Sequence, residues 1–255
     1  MFDDRRGRAV STAAAVKVQI QAIGAGFMFS REAKAFGAAV GATTFLGPYT
    51  RGRGGVLGDV DADVVISAFG FFPAETIRPA WESLDLPADK AAAGYLGVCQ
   101  DFGRRKLGGF DGAARLAELL APVAAAADPA GVALFAGWRA LPLAADDPAR
   151  AMQLIQVLRE LRGGLHLLAV RAHGLTPEQA VLIGGSPAKS GVDQARSFGW
   201  REPYEEITPE LRQRWEAAEA STDELIAPAF AVLDETQGAE LAELLTTAYG
   251  LVYNR

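Results

Sequence analysis

Cysteine is almost absent. Cys99 is the only one in 255 residues, which excludes an intramolecular disulfide framework and a cysteine-rich zinc site. Its isolation points to a small core residue rather than a nucleophile. Histidine is nearly as scarce, with only His166 and His173; they form no HExxH-type spacing, so no metal centre is expected. Positive charge is also in deficit. The 25 Lys and Arg face 31 Asp and Glu, for a net charge of −6, which disfavours general attraction to phosphate backbones and anionic lipid. No uninterrupted apolar run of about 18 residues is present to span a membrane. The apolar stretch from Ala9 is broken by Lys17, Gln19 and Gln21 before it matches a signal core. A soluble, cytoplasmic protein is the expectation.

β-Branched runs of strand length are scarce too, while alanine, leucine and glutamate dominate the periodic segments, so local preference leans to helix. The expected fold class is mostly α, a multi-helix globular fold, and 255 residues suffice for one large core or two smaller ones. Helices are predicted over 12–23 and 31–40, joined by Gly24-Ala25-Gly26-Phe27-Met28-Phe29. The span 41–58 is rich in glycine, which permits unusual backbone angles and close ligand approach. Periodicity leaves 64–69 open between helix and strand. Further helices are predicted over 74–81, 89–102, 112–127 and 131–139.

Asp146-Asp147-Pro148 is a strong helix start. Beyond it Leu154, Leu158, Leu161, Leu165 and Leu168 step by three and four along one stripe. A second stripe carries Arg159, Arg162, His166 and His173. Gly163-Gly164 interrupts this helix at a cost of roughly 1 kcal/mol per glycine relative to alanine, and so signals close approach of another helix or a ligand. Thr176-Pro177, Ser186-Pro187 and Thr208-Pro209 mark three later starts. Pro228 suggests a kink or boundary, and a final amphipathic helix is expected after Gly238.

The chemistry these residues offer centres on His166, which can titrate near neutral pH and shares its predicted face with arginines that would lower its pKa. His166 and Arg162 are the candidate catalytic pair. Arg53, Arg159 and Arg162 suit a carboxylate, phosphate or enolate through charge-assisted hydrogen bonds. Tyr49 is a candidate proton donor near Arg53, and Phe69, Phe72 and Trp81 are candidate walls of an apolar pocket. The ordinary alternative for each is a satisfied structural histidine, a salt-bridged arginine or a core aromatic. Gly52-Arg53-Gly54-Gly55 lacks the Gly-Lys-Ser/Thr ending of a phosphate loop, so no cofactor is expected.

Arg53-Gly54-Gly55-Val56-Leu57-Gly58, the Phe69 to Pro73 stretch with Pro79-Ala80-Trp81, and Leu158 to His166 together resemble the actinobacterial helix-turn-helix-like SCO six-seven-four-five family. The carboxyl-terminal part is similar to the latter half of a MarR-type winged helix, through the Ile207-Thr208-Pro209-Glu210-Leu211 helix entry. Sequences of that family tend to have Arg-Gly-Asp-Gly-His where this chain has Arg162-Gly163-Gly164-Leu165-His166, so a potential carboxylate partner for the histidine is missing from the motif. The resemblance implies a degenerate winged-helix-like carboxyl-terminal region and, by analogy with MarR regulators, a homodimer. Two regions are expected: 1–174 as a helical ligand-pocket domain and 175–255 as a winged-helix-like and helical region.

Residues 187–216 hold five basic against six acidic side chains, where a recognition helix and wing require a basic footprint. DNA is therefore disfavoured as a partner. The leading expectation is a cofactor-independent protein binding a small, anionic and partly apolar molecule, as a biosynthetic lyase, isomerase or cyclase. The alternative is a non-enzymatic ligand sensor or interaction protein derived from a MarR-like regulator.

Overall fold

Side-chain caps set many of the helix starts. Asp61, Asp146, Thr176, Ser190 and Thr208 each accept a hydrogen bond from a backbone N–H in the following turn, satisfying donors that the helix itself cannot. In this computed structural model, which describes residues 2–186 and 189–253, the outcome is all helical. The first half contains α1 (Phe2–Gly26), α2 (Arg31–Ala39), α3 (Leu46–Gly54), α4 (Ala62–Phe69), α5 (Ala74–Glu82), α6 (Ala88–Leu107) and α7 (Ala113–Ala126). The second contains α8 (Ala133–Ala140), α9 (Asp147–Ala172), α10 (Pro177–Gly184), α11 (Gly191–Phe198), α12 (Pro209–Phe230) and α13 (Glu235–Tyr253). No strand occurs among the described residues; Ser186 and Lys189 form an isolated bridge. No described helix is long and apolar enough to cross a membrane.

The organising element is α9. From Ala149 to Arg162 nearly every side chain is buried, so this part of the helix runs through the core with neighbours on all sides. It packs on α6, α7, α8, α1 and α12. One core joins Val16 and Ile23 of α1, Leu116 and Leu120 of α7, Leu154 and Leu158 of α9, Phe230 of α12 and Leu241 and Leu245 of α13. Core packing therefore runs across residue 174. Helices α10 and α11 pack on each other and bury Val181, Leu182 and Ala195 in a smaller cluster of their own.

Several helix boundaries differ from expectation. The first helix runs from Phe2 to Gly26 rather than over 12–23. The glycine-rich span after residue 41 is largely helix, as α3, because its glycines serve packing: a Cβ on Gly52 would lie 2.5 Å from the Tyr95 ring, and one on Gly55 would meet the Ala88 carbonyl. The segment 64–69 is helical as part of α4, capped by Asp61. Gly238 lies inside the first turn of α13, whose start is set by reciprocal bonds between Asp234 and Gln237. Pro228 sits near the end of α12. The proposed start at Ser186-Pro187 falls partly outside the described residues, and α11 begins at Gly191 with Ser190 as cap.

Candidate functional site

A polar stripe runs through the buried part of α9. Gln153, Gln156 and Glu160 are spaced by three and four and are each no more than 2% exposed, so they lie along one face inside the core. Gln153 ties the preceding loop, donating to the Pro142 carbonyl and accepting from Ala144 N–H and Gln100 Nε2. The other two anchor a charged cluster.

Arg53 enters that cluster from α3. Its Nε and Nη2 donate to Glu160 Oε1 and Oε2 at 2.8 and 2.7 Å, and its Nη1 donates to Tyr49 Oη at 2.9 Å. The guanidinium lies 4.5 Å from the Phe69 ring centre and 5.7 Å from that of Tyr49, a geometry in which ring faces stabilise a cation. Trp138 Nε1 donates to the Arg53 carbonyl. Burial works against the charge on Arg53, but Glu160 and Tyr49 hold its pKa above the ordinary arginine value. Burial likewise opposes ionisation of Glu160, and Arg53 holds its pKa below the ordinary value.

Arg159 is the second cation on the same carboxylate, with Nη1 3.5 Å from Glu160 Oε1. Burial lowers its pKa; Glu160 opposes that shift and Arg53 adds to it. Its aliphatic stem presses on α1, where a Cβ on Gly24 would lie 2.7 Å from Arg159 Cδ. Gln156 Nε2 donates to Glu160 Oε1 at 2.6 Å. Two guanidiniums thus share one carboxylate. Around them, Tyr95 Oη, Gln156 Oε1 and Arg159 Nε are buried without a hydrogen-bond partner among the described residues.

His166 and Arg162 belong to a different cluster, between α9, α12 and α1. Arg162 Nη2 donates to Glu219 Oε2 at 2.7 Å, and Lys17 Nζ donates to Asp223 Oδ2 at 2.7 Å. Both ring nitrogens of His166 are taken up, Nδ1 lying 3.0 Å from Thr222 Oγ1 and Nε2 3.4 Å from Glu219 Oε1, and Phe71 stacks on the ring. Burial lowers its pKa to about 4; Glu219 pulls the other way, and Arg162 adds to the lowering. His173, at the end of α9, bonds Ser221.

The remaining candidate residues form an aromatic wall. Tyr49 contacts Phe69 and Phe72, and Phe72 stacks on Phe198 at 4.1 Å. Phe45 stacks on Tyr49 and Phe29 on Phe45, ending at rings that are 46% and 68% exposed. Trp81 stands behind this wall: it donates to the Val60 carbonyl, carries the Arg51 guanidinium on its face, and would lie 3.3 Å from a Cβ placed on Gly54. The structure therefore groups Tyr49, Arg53, Arg159 and Phe69, with Phe72 beside them, and places Arg162 and His166 elsewhere along α9. No described hydrogen bond or ion pair joins the two clusters.

Sequence reasoning did not single out Glu160, Gln156, Tyr95 or Glu219. A signal existed for the first two, since polar residues at 153, 156 and 160 repeat at helical spacing inside a leucine-rich helix. Tyr95 and Glu219 lie on distant helices and carry no comparable mark. Cys99 is fully buried, and burial pushes its thiol pKa up, so it is a core thiol. Among the described residues no group of three or more His, Cys, Asp or Glu is placed to hold a metal ion.

A family model described as a helix-turn-helix family matches residues 13–254. No curated protein and no solved structure matches the chain. The family match takes in α2 to α13 whole, the polar stripe of α9 and both charged clusters, and on that extent the chain belongs to this helix-turn-helix family.

Proposed function

We propose that this protein binds a small, anionic and partly apolar molecule at the Arg53–Arg159–Tyr49 cluster. One observation carries the reading: the buried guanidinium of Arg53 and the part-buried one of Arg159 share the single carboxylate of Glu160, leaving a positive charge with no counter-ion of its own among the described residues. An uncompensated buried charge costs several kcal/mol, and a bound oxyanion would offset that cost through charge-assisted hydrogen bonds. Arg159, whose side chain is 19% exposed, forms the edge of the cluster nearest solvent. The Tyr49, Phe69 and Phe72 rings supply the apolar side of the site.

A sensor or interaction role needs only this binding step. A lyase, isomerase or cyclase needs a proton-transfer group as well. His166, the candidate for that task, is held in the other cluster by Thr222 and Glu219. The binding-only form is the one put forward. Within it, the finer kinship is with the SCO six-seven-four-five proteins, and α10–α11 is the remnant of a MarR-like reading head. The only cation on α11, Arg196, pairs with Asp193 and Glu202, and no hairpin wing follows it among the described residues. These features argue against DNA as the partner.

The test is calorimetric titration of phenylacetate into the wild-type protein and into Arg159→Met. Binding to the wild type that weakens about tenfold or more in the variant is expected, within the range for a charge-assisted contact. Equal affinity in the two folded proteins would remove Arg159 from the site. Gel-shift titration with mixed-sequence duplex DNA at low salt is expected to show no complex; a tight one would restore the DNA-reading role.

A further inference from the structure

The three unpartnered atoms around Glu160 differ in what they lack. Arg159 Nε and Tyr95 Oη each have a hydrogen to donate, whereas Gln156 Oε1 needs to receive one. Burial raises the Tyr95 pKa well above its ordinary value, so the group is a phenol and not a phenolate. Turning the Gln156 amide does not remove the mismatch. Its Nε2 already donates to Glu160 Oε1 at 2.6 Å, and a flipped amide would set two acceptors against each other.

A plain carboxylate satisfies the two donors but shows only lone pairs to Gln156. The complement of all three atoms is an acceptor pair with an O–H beside it. Resting on the anion site proposed above, we infer that the ligand is a hydroxycarboxylate whose oxyanion accepts from Arg159 and Tyr95 and whose hydroxyl donates to Gln156. The apolar part of the molecule is planar, because Arg53 is flanked by the Tyr49 and Phe69 rings and Phe72 packs against both. An aryl hydroxyacid is the chemical class.

Three probes separate the parts of this assignment when titrated calorimetrically into the full chain: mandelate, its O-methyl ether and phenylacetate. Mandelate is expected to bind about tenfold or more tightly than either of the others, since a site built around a donated hydrogen rejects analogues that lack it. In Gln156→Met the preference for mandelate over phenylacetate should collapse to about one. The wild-type comparison decides the matter even if that variant does not fold.

Equal binding of mandelate and phenylacetate would overturn the hydroxyl assignment and leave the anion site standing; this is also the result expected if ordered water alone satisfies Gln156. An ether that binds as tightly as mandelate would overturn the donor role. Failure of all three probes to bind at millimolar concentration would overturn both this inference and the anion site beneath it.

Discussion

The two charged clusters on α9 use the same residue types for different ends. Around Glu219, Arg162 and Lys17 meet Glu219 and Asp223, so cations and carboxylates balance. The atoms left over there, Arg162 Nε and Asp223 Oδ1, are a donor and an acceptor on groups that already face each other. Around Glu160, Arg53 and Arg159 face one carboxylate, and two of the three leftover atoms are donors. A balanced network clamps helices together; on the function proposed above, an unbalanced one is completed by a bound anion. That contrast separates scaffold from site more clearly than residue type does, since His166 and Arg162, the pair with the strongest catalytic look in sequence, lie on the balanced side.

The contrast can be broken first at its strongest point. Glu160→Gln keeps the shape and removes the carboxylate shared by Arg53 and Arg159. A loss of roughly 3–5 kcal/mol is expected in urea denaturation. A loss below about 1 kcal/mol would show that the arginines are compensated by other groups.

Protonation probes the other cluster. The folded His166 pKa lies at about 4, below the ordinary value of 6.5. The unfolded chain therefore binds the extra proton more readily between those values, and stability falls as pH drops from about 6.5 towards about 4. The contribution is fully present above pH 6.5 and reaches up to about 3 kcal/mol. His166→Phe should flatten that limb of the stability profile, and an unchanged acid limb would assign the loss to the carboxylates.

The glycine pair gives a smaller and oppositely signed test. A Cβ on Gly164 would lie 2.6 Å from Val132 Cγ1, whereas one on Gly163 meets nothing within 4 Å. Gly164→Ala should destabilise by roughly 1–3 kcal/mol through overpacking. Gly163→Ala should stabilise by up to about 1 kcal/mol through helix propensity. Thermal melts of both variants measure the difference, and equal shifts would contradict the close packing of α8 and its entry loop on α9. Smallest of all, Arg159→Met should leave stability unchanged or raise it by up to about 1 kcal/mol; a large loss would mean that Arg159 is needed to hold the fold.

Local chemistry made α9 readable. Asp146 caps it by accepting from Ala149 N–H, as the Asp-Asp-Pro start implies. Its leucine stripe holds at Leu154, Leu158 and Leu161, but Leu168 is exposed. A stripe spaced at an average of 3.5 residues drifts by about 20° per heptad around a straight helix, and the two heptads from Leu154 to Leu168 carry it off the core face. Thr176 forms the full capping box with Gln179 that opens α10. The equivalent signal at Asp234 and Gln237 is just as local, although Gly238 beside it reads as a break in the sequence.

The candidate site was less legible, because its partners come from remote stretches of chain. Arg53 and Tyr49 were visible as a glycine-flanked pair, and Arg159 as part of a helical stripe. That Arg159 and Arg162, three residues apart, serve different carboxylates depends on which helices pack on each side of α9.

The sequence by itself determined the helical class, many of the helix starts and the disfavoured charge for DNA reading, because propensity, capping and net charge act over a few residues or over the whole composition. Only the tertiary structure decided which cations are compensated. Pairing is set by distances of about 3 Å between side chains remote from each other in the chain, 206 positions apart in the Lys17–Asp223 bond at 2.7 Å, and those distances exist only once the helices around α9 have packed.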